Sequence, residues 1–69
     1  MRISARNQIK GTVIEVKKGA TTSHVCVDIG NGQIMTSSIT NEAVDELGIK
    51  ARGAVIVVVK ASDVMIAVD

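Results

Sequence analysis

Two short polar segments hold most of the chemistry open to this chain. Ser4, Ala5, Arg6 and Asn7 precede the first strand-like run, and Lys60, Ala61 and Ser62 separate two aliphatic runs near the other end. Each segment combines a cation, a serine hydroxyl and nearby backbone N–H groups, and neither contains a carboxylate of its own. This is the donor inventory that holds a small oxyanion, because charge-assisted donors, hydroxyls and amides all point hydrogens at the ligand. The same residues also read as an ordinary polar arm and ordinary strand ends. Two donor clusters do not by themselves name an anion.

Other chemistries find less support. His24 and Cys26 lie two positions apart on one strand face, a spacing that suits a Cys–His pair only if the side chains bend toward one another. They read better as a small apolar thiol and a histidine at a subunit contact. Glu42, Asp45 and Glu46 belong to one short helix and read as its solvated face. The Gly30-Asn31-Gly32 stretch is a hairpin turn, and no Gly-x-Gly-x-x-Gly phosphate loop occurs. With only His24 and Cys26 as soft ligands, no direct cation site is expected, and neither is an enzyme.

Composition narrows the field further. The chain has 69 residues, eight basic against seven acidic side chains, a net charge of +1 and no aromatic residue. Nucleic-acid binders normally need a clustered basic excess, and single-strand binders need aromatic stacking platforms. A nucleic-acid partner is therefore disfavoured. A chain of this size buries only about 60% of the surface its unfolded form exposes, so a single domain spanning residues 1–69 needs help to be stable. Cys26 is the only cysteine, which removes an internal disulfide and suits a reducing cytoplasm. The runs AVIVVV and VMIAV are too short to span a bilayer, and the polar start MRISARNQ does not read as a targeting segment, so no membrane partner is expected.

The elements that must position the polar clusters follow from periodicity and turn residues. Gln8 to Lys17 reads as a first strand, with Ile14 and Val16 on one face and Val13, Glu15 and Lys17 on the other. Lys18 to Thr22 forms a turn. Ser23 to Gly30 alternates Val25, Val27 and Ile29 against His24, Cys26 and Asp28, and Asn31-Gly32 is a strong type I′ hairpin signal into a third strand, Gln33 to Ile39. Thr40 or Asn41 caps a short helix through Leu47 with Ala43, Val44 and Leu47 as its apolar stripe, and Gly48 ends it. Ala54 to Val59 and Val64 to Val68 make a fourth and a fifth strand, both apolar on two faces. The order predicts an all-β, five-stranded, OB-like Greek-key barrel with one helix between strands three and four. Apolar outer faces on so small a barrel predict burial against other copies, and hence an obligate homo-oligomer.

The same stretches carry a family resemblance. SARNQIKGTVIEVKKGA, then SSITNEAVDELGI, then VVVKASDVMIAV together resemble the molbindins, the small cytoplasmic molybdate-binding proteins of the Mop family, built on the TOBE module. The likeness covers essentially the whole chain. It implies a homo-hexamer, a trimer of dimers, that binds molybdate and tungstate at subunit interfaces for intracellular molybdenum storage, without catalysis or a catalytic cofactor. By that resemblance, Ser4, Ala5 and Arg6 of one copy form an oxyanion site completed by Lys60, Ala61 and Ser62 of a neighbour. Arg6 and Lys60 would supply charge, Ser4 and Ser62 hydroxyls, and the alanines backbone donors. A second oxyanion site would draw on Gly19, Ala20, Thr21 and Thr22. A pocket of donors suits molybdate, which is fully deprotonated at neutral pH, and disfavours a phosphate whose O–H lacks an acceptor. Lys50 to Ala54 departs from the family pattern, which has a tighter Gly-acidic turn there. A molybdate-sensing module that signals to a partner protein is the alternative to storage.

Overall fold

The computed structural model describes residues 1–69 and contains four strands and one α-helix. Strands β1 (Asn7–Lys18), β2 (Thr22–Gly30), β3 (Gln33–Thr40) and β4 (Ala54–Val59) form one antiparallel sheet in the order β3-β2-β1-β4, with helix α1 (Asn41–Leu47) between β3 and β4. This is the OB-like arrangement expected, one strand short. The residues assigned to a fifth strand, Val64 to Val68, follow a 3₁₀ turn at Ala61–Asp63 and pair with nothing in their own chain. Met65, Ile66 and Val68 are 91%, 87% and 91% exposed. Their apolar pattern does encode burial, but no sheet edge of the same chain receives them, so the sheet stays open.

Strand β1 also differs from its expected phase. Val13 pairs with Val27 while Glu15 pairs with Cys26, which leaves Ile14 as an extra, bulged residue. The bulge flips the alternation, so Val13 and Val16 share the inner face and Ile14 turns outward. A strict period of two placed Ile14 with Val16, and one inserted residue reverses that. Upstream of the bulge, Gly11 lies where a Cβ would come within 2.8 Å of the Asp28 carbonyl oxygen and closer still to Val27. Glycine is what lets β2 approach there.

Strand β2 is as read, with Ser23, Val25 and Val27 buried and His24 and Asp28 exposed. The hairpin into β3 has positive φ at both central residues, 54° at Asn31 and 74° at Gly32, which the type I′ turn requires. Thr40 caps the helix, its Oγ1 accepting from the Ala43 amide at 3.1 Å, and Gly48 ends it in the left-handed region. Of the predicted stripe, Val44 is buried and Leu47 is 72% exposed. Helix α1 makes under two turns, so only one position reaches the core Val13-Val25-Val27-Val44.

Asn41 ties the helix start to the β1–β2 turn. Its amide N–H donates to Thr21 O at 3.0 Å, and its Nδ2 donates to Gly19 O at 3.1 Å and Ala20 O at 3.4 Å. Its Oδ1 accepts from the hydroxyl of Ser23, the one fully buried polar side chain. The Lys50–Gly53 turn closes with the Gly53 amide donating to Lys50 O at 3.0 Å, and it holds Arg52 at φ 71°. A glycine would relax that conformation, which costs an arginine steric energy.

Two stability predictions follow from these contacts. Asn41→Ala is expected to cost about 1–3 kcal/mol, because it orphans the buried Ser23 hydroxyl. The Asn41→Ala/Ser23→Ala double variant is expected to lose less than the sum of the singles in urea unfolding, and additivity would contradict the assigned bond. Arg52→Gly is expected to raise stability by about 0.5–1 kcal/mol, read as a shift of the thermal midpoint. An unchanged or lowered midpoint would show that the turn carries no strain.

Candidate functional site

The pairing of β1 with β4 brings the two polar clusters together. The ladder runs from Thr12↔Ala54 to Asn7↔Val59, and it ends there. Residues just before Asn7 and just after Val59 therefore leave the sheet side by side. The Asn7 side chain secures this end, its Nδ2 donating to Val59 O at 3.2 Å. Gln8 Nε2 donates to Ala5 O at 2.8 Å and holds the arm against the strand. On the other side, the 3₁₀ turn closes with the Asp63 amide donating to Lys60 O at 2.9 Å and that of Val64 to Ala61 O at 3.3 Å.

Ser4, Ala5, Arg6, Lys60, Ala61 and Ser62 then line a single hollow of 620 Å³, with Val58 added by β4. All six residues singled out from sequence meet here, and they do so within one chain. The resemblance implies halves from different copies; within one chain, β1–β4 pairing also brings both halves to the same hollow. Arg6 and Lys60 have no ion-pair partner, since Lys18–Asp45 is the one salt bridge in the structure. The amides of Ala5, Arg6, Ala61 and Ser62 donate to no acceptor in the chain. Residues carrying two cations, two hydroxyls and unbonded amides thus line one concavity, with no carboxylate among them. Such a set of donors is chemically suited to an anion.

The turn proposed as a second site is only partly gathered. Gly19 and Thr22 line another hollow, of 260 Å³, together with Lys17, Lys18 and His24. Ala20 and Thr21 lie outside that lining, and their carbonyls are held by Asn41. Sequence reading had missed Lys17 and Lys18 and had set His24 aside. The available signal was register: Lys17 pairs directly with His24 once the turn between them closes.

The remaining reactive side chains do not converge. Cys26 Sγ lies 3.8 Å from Thr36 Oγ1 on β3, not against His24. Asp45 is occupied by Lys18 at 2.8 Å, and no three His, Cys, Asp or Glu side chains gather anywhere. No helix is long and apolar enough to cross a membrane.

Comparison with known proteins agrees with the fold. The TOBE domain family matches residues 3–66. Molybdenum-pterin-binding protein 2 of Clostridium pasteurianum is 48% identical over 66 residues, which covers 96% of this chain and 97% of that protein. A molybdate-binding protein from Sporomusa ovata superposes with a TM-score of 0.91 at 30% identity, over 97% of this chain and 98% of that one. The cytoplasmic molybdate-binding protein ModG, solved with molybdate bound, gives 0.89 at 42% identity, over 94% of this chain and 46% of its own. With a family match across nearly its whole length and relatives of its own size at almost half identity, the chain belongs to the TOBE-domain family, in its Mop branch.

Proposed function

We propose that residues 1–69 act as one non-enzymatic module that binds molybdate, and tungstate by the same chemistry, in the hollow between Ser4–Arg6 and Lys60–Ser62. The observation that carries this reading is the meeting of two unpaired cations, two hydroxyls and free amides at one strand end. A tetrahedral dianion accepts every hydrogen bond this surface offers and compensates charge that would be costly to cover unpaired. The relatives lend support, since they are named as molybdate-binding and molybdenum-pterin-binding proteins. Between bare oxyanion and a pterin complex, composition favours the oxyanion: a pterin ring calls for a stacking partner, and the chain has no aromatic side chain.

The module works as a homo-oligomer, a hexamer built as a trimer of dimers. Two surface features support assembly. An apolar groove lined by Val25, Val27, Ile39, Ile49, Val55 and Val57 stands open beside β4, and the apolar tail Val64–Val68 projects uncovered from the same chain. Copies that lay their tails across one another's grooves close each sheet and bury both surfaces. The 620 Å³ hollow is also far wider than one tetrahedral ion, so a neighbouring surface that covers it would tighten the fit. Intracellular molybdenum storage is the role consistent with such an assembly. A cytoplasmic location agrees with the cytoplasmic relative ModG and with a single free cysteine.

Isothermal titration tests the binding site. Wild-type protein is expected to take up molybdate and tungstate with little heat from sulfate or phosphate. Arg6→Ala and Lys60→Ala are each expected to weaken binding roughly ten- to a hundredfold, as loss of a charge-assisted contact predicts. Unchanged affinity in both variants would contradict the site. Light scattering tests the assembly: a particle of six 7.2 kDa chains is expected. Ile66→Asp is expected to shift it to smaller species, and a wild-type monomer would contradict the oligomer.

A further inference from the structure

Each polar segment of the hollow between Ser4–Arg6 and Lys60–Ser62 has an alanine at its centre, Ala5 in one and Ala61 in the other. Both alanine carbonyls are engaged, but by different means. Ala61 O accepts from the Val64 amide at 3.3 Å and Lys60 O from the Asp63 amide at 2.9 Å, so backbone alone fixes that wall. Ala5 O has one partner, the side chain of Gln8, whose Nε2 donates at 2.8 Å. The chain has no cis peptide bond, and in a planar trans peptide the C=O and the following N–H point in opposite directions. A bond that holds the Ala5 carbonyl toward Gln8 therefore turns the Arg6 N–H the other way, and that amide has no acceptor in the chain. On the opposite wall the 3₁₀ turn orients the Ala61 and Ser62 amides by the same geometry. Residues 4–6 lie outside the sheet, so the Ala5–Arg6 peptide has no ladder to hold it. Without Gln8 it is free to rotate, and half a turn would put a carbonyl where the amide stood.

We infer that Gln8 is a specificity-determining positioning residue: it fixes the Ala5–Arg6 peptide so that the hollow is offered an N–H donor and not a C=O acceptor. The inference rests on the proposed oxyanion site and deepens it, by naming the residue that selects for anions without a proton. Gln8 acts through the backbone and needs no contact with the anion itself. Molybdate, tungstate and sulfate carry no proton at neutral pH and only accept hydrogen bonds. Phosphate keeps at least one proton there, and its O–H needs an acceptor. A fixed donor leaves that O–H without a partner, which costs binding, whereas a peptide free to flip supplies the missing acceptor. Gln8 thus separates unprotonated tetrahedral anions from protonated ones. It does not separate molybdate from sulfate, because those two differ in size and not in protonation.

Gln8→Met keeps the length of the side chain and removes its donor. Wild type and Gln8→Met, both checked for native melting and for mass, are titrated with molybdate by calorimetry at neutral pH, with phosphate or sulfate as competitor. Gln8→Met is expected to bind molybdate about tenfold more weakly and to keep its preference for molybdate over sulfate. Its preference for molybdate over phosphate is expected to fall about tenfold. A parallel weakening for all three anions, or no change in any, would overturn this inference and leave the binding site standing. The wild-type protein gives a readout that needs no variant. Its Arg6 backbone amide proton is expected to move downfield in NMR spectra as molybdate is added, and a stationary Arg6 amide while molybdate binds would overturn the inference. No molybdate uptake by wild type, or uptake indifferent to Arg6→Ala and Lys60→Ala, would overturn this inference and the proposed site together.

Discussion

The antiparallel ladder between β1 and β4 is the constraint on which the rest depends. It joins residues 42 to 52 positions apart in the chain, from Thr12↔Ala54 to Asn7↔Val59, and Asn7 fastens its last rung to the Val59 carbonyl. Where the ladder stops, both strands release polar segments into the same space. A two-residue change of register would carry Ser4–Arg6 past Lys60–Ser62 by about 7 Å, since a strand rises about 3.3 Å per residue. The hollow would then lose one of its two walls. Side-chain chemistry supplies the donors, and register brings them together.

The second governing fact is how little this chain buries. Its core is four valines, and Ser23 is the one buried polar side chain. Ile14, Ile34, Ile56 and Val58 remain between 40% and 58% exposed, and Met65, Ile66 and Val68 between 87% and 91%. At about 25 cal/mol per Å² of apolar surface removed from water, covering those residues is the largest stabilisation still open to the molecule. In the proposed assembly that burial also walls in the oxyanion hollow. Dianion and neighbouring copies would then reinforce each other, because ligand that binds the assembled form stabilises it by mass action. Val58 connects the two roles: it belongs to the exposed face of β4 and lines the hollow.

Local chemistry made much of this legible from sequence. Asn31-Gly32, Thr40 and Gly48 each occur where a turn or helix end demands that residue type, and each does its expected job. Alternation set the faces of β2 correctly. Features that depend on more than neighbours were harder to read. The Ile14 bulge comes from one extra residue accommodated between paired strands, which no periodicity in β1 alone reveals. Val64–Val68 has the composition of a strand, but it pairs with neither edge of its own sheet, β3 or β4, and composition alone does not name a partner. The six residues of the first hollow were legible as donor clusters, while their meeting within one chain was not, because it depends on the β1–β4 register. Lys17 was missed and His24 set aside for the same reason: that they face one another depends on how the turn between their strands closes.

Anomalous diffraction gives the most direct test of where the anion sits. Crystals of the protein grown with molybdate, measured at the molybdenum edge, locate the metal without reference to the protein phases. A strong peak is expected between the Arg6 guanidinium and the Lys60 ammonium, within hydrogen-bonding reach of Ser4, Ser62 and the adjacent amides. Molybdenum bound elsewhere with that hollow holding only solvent would contradict it.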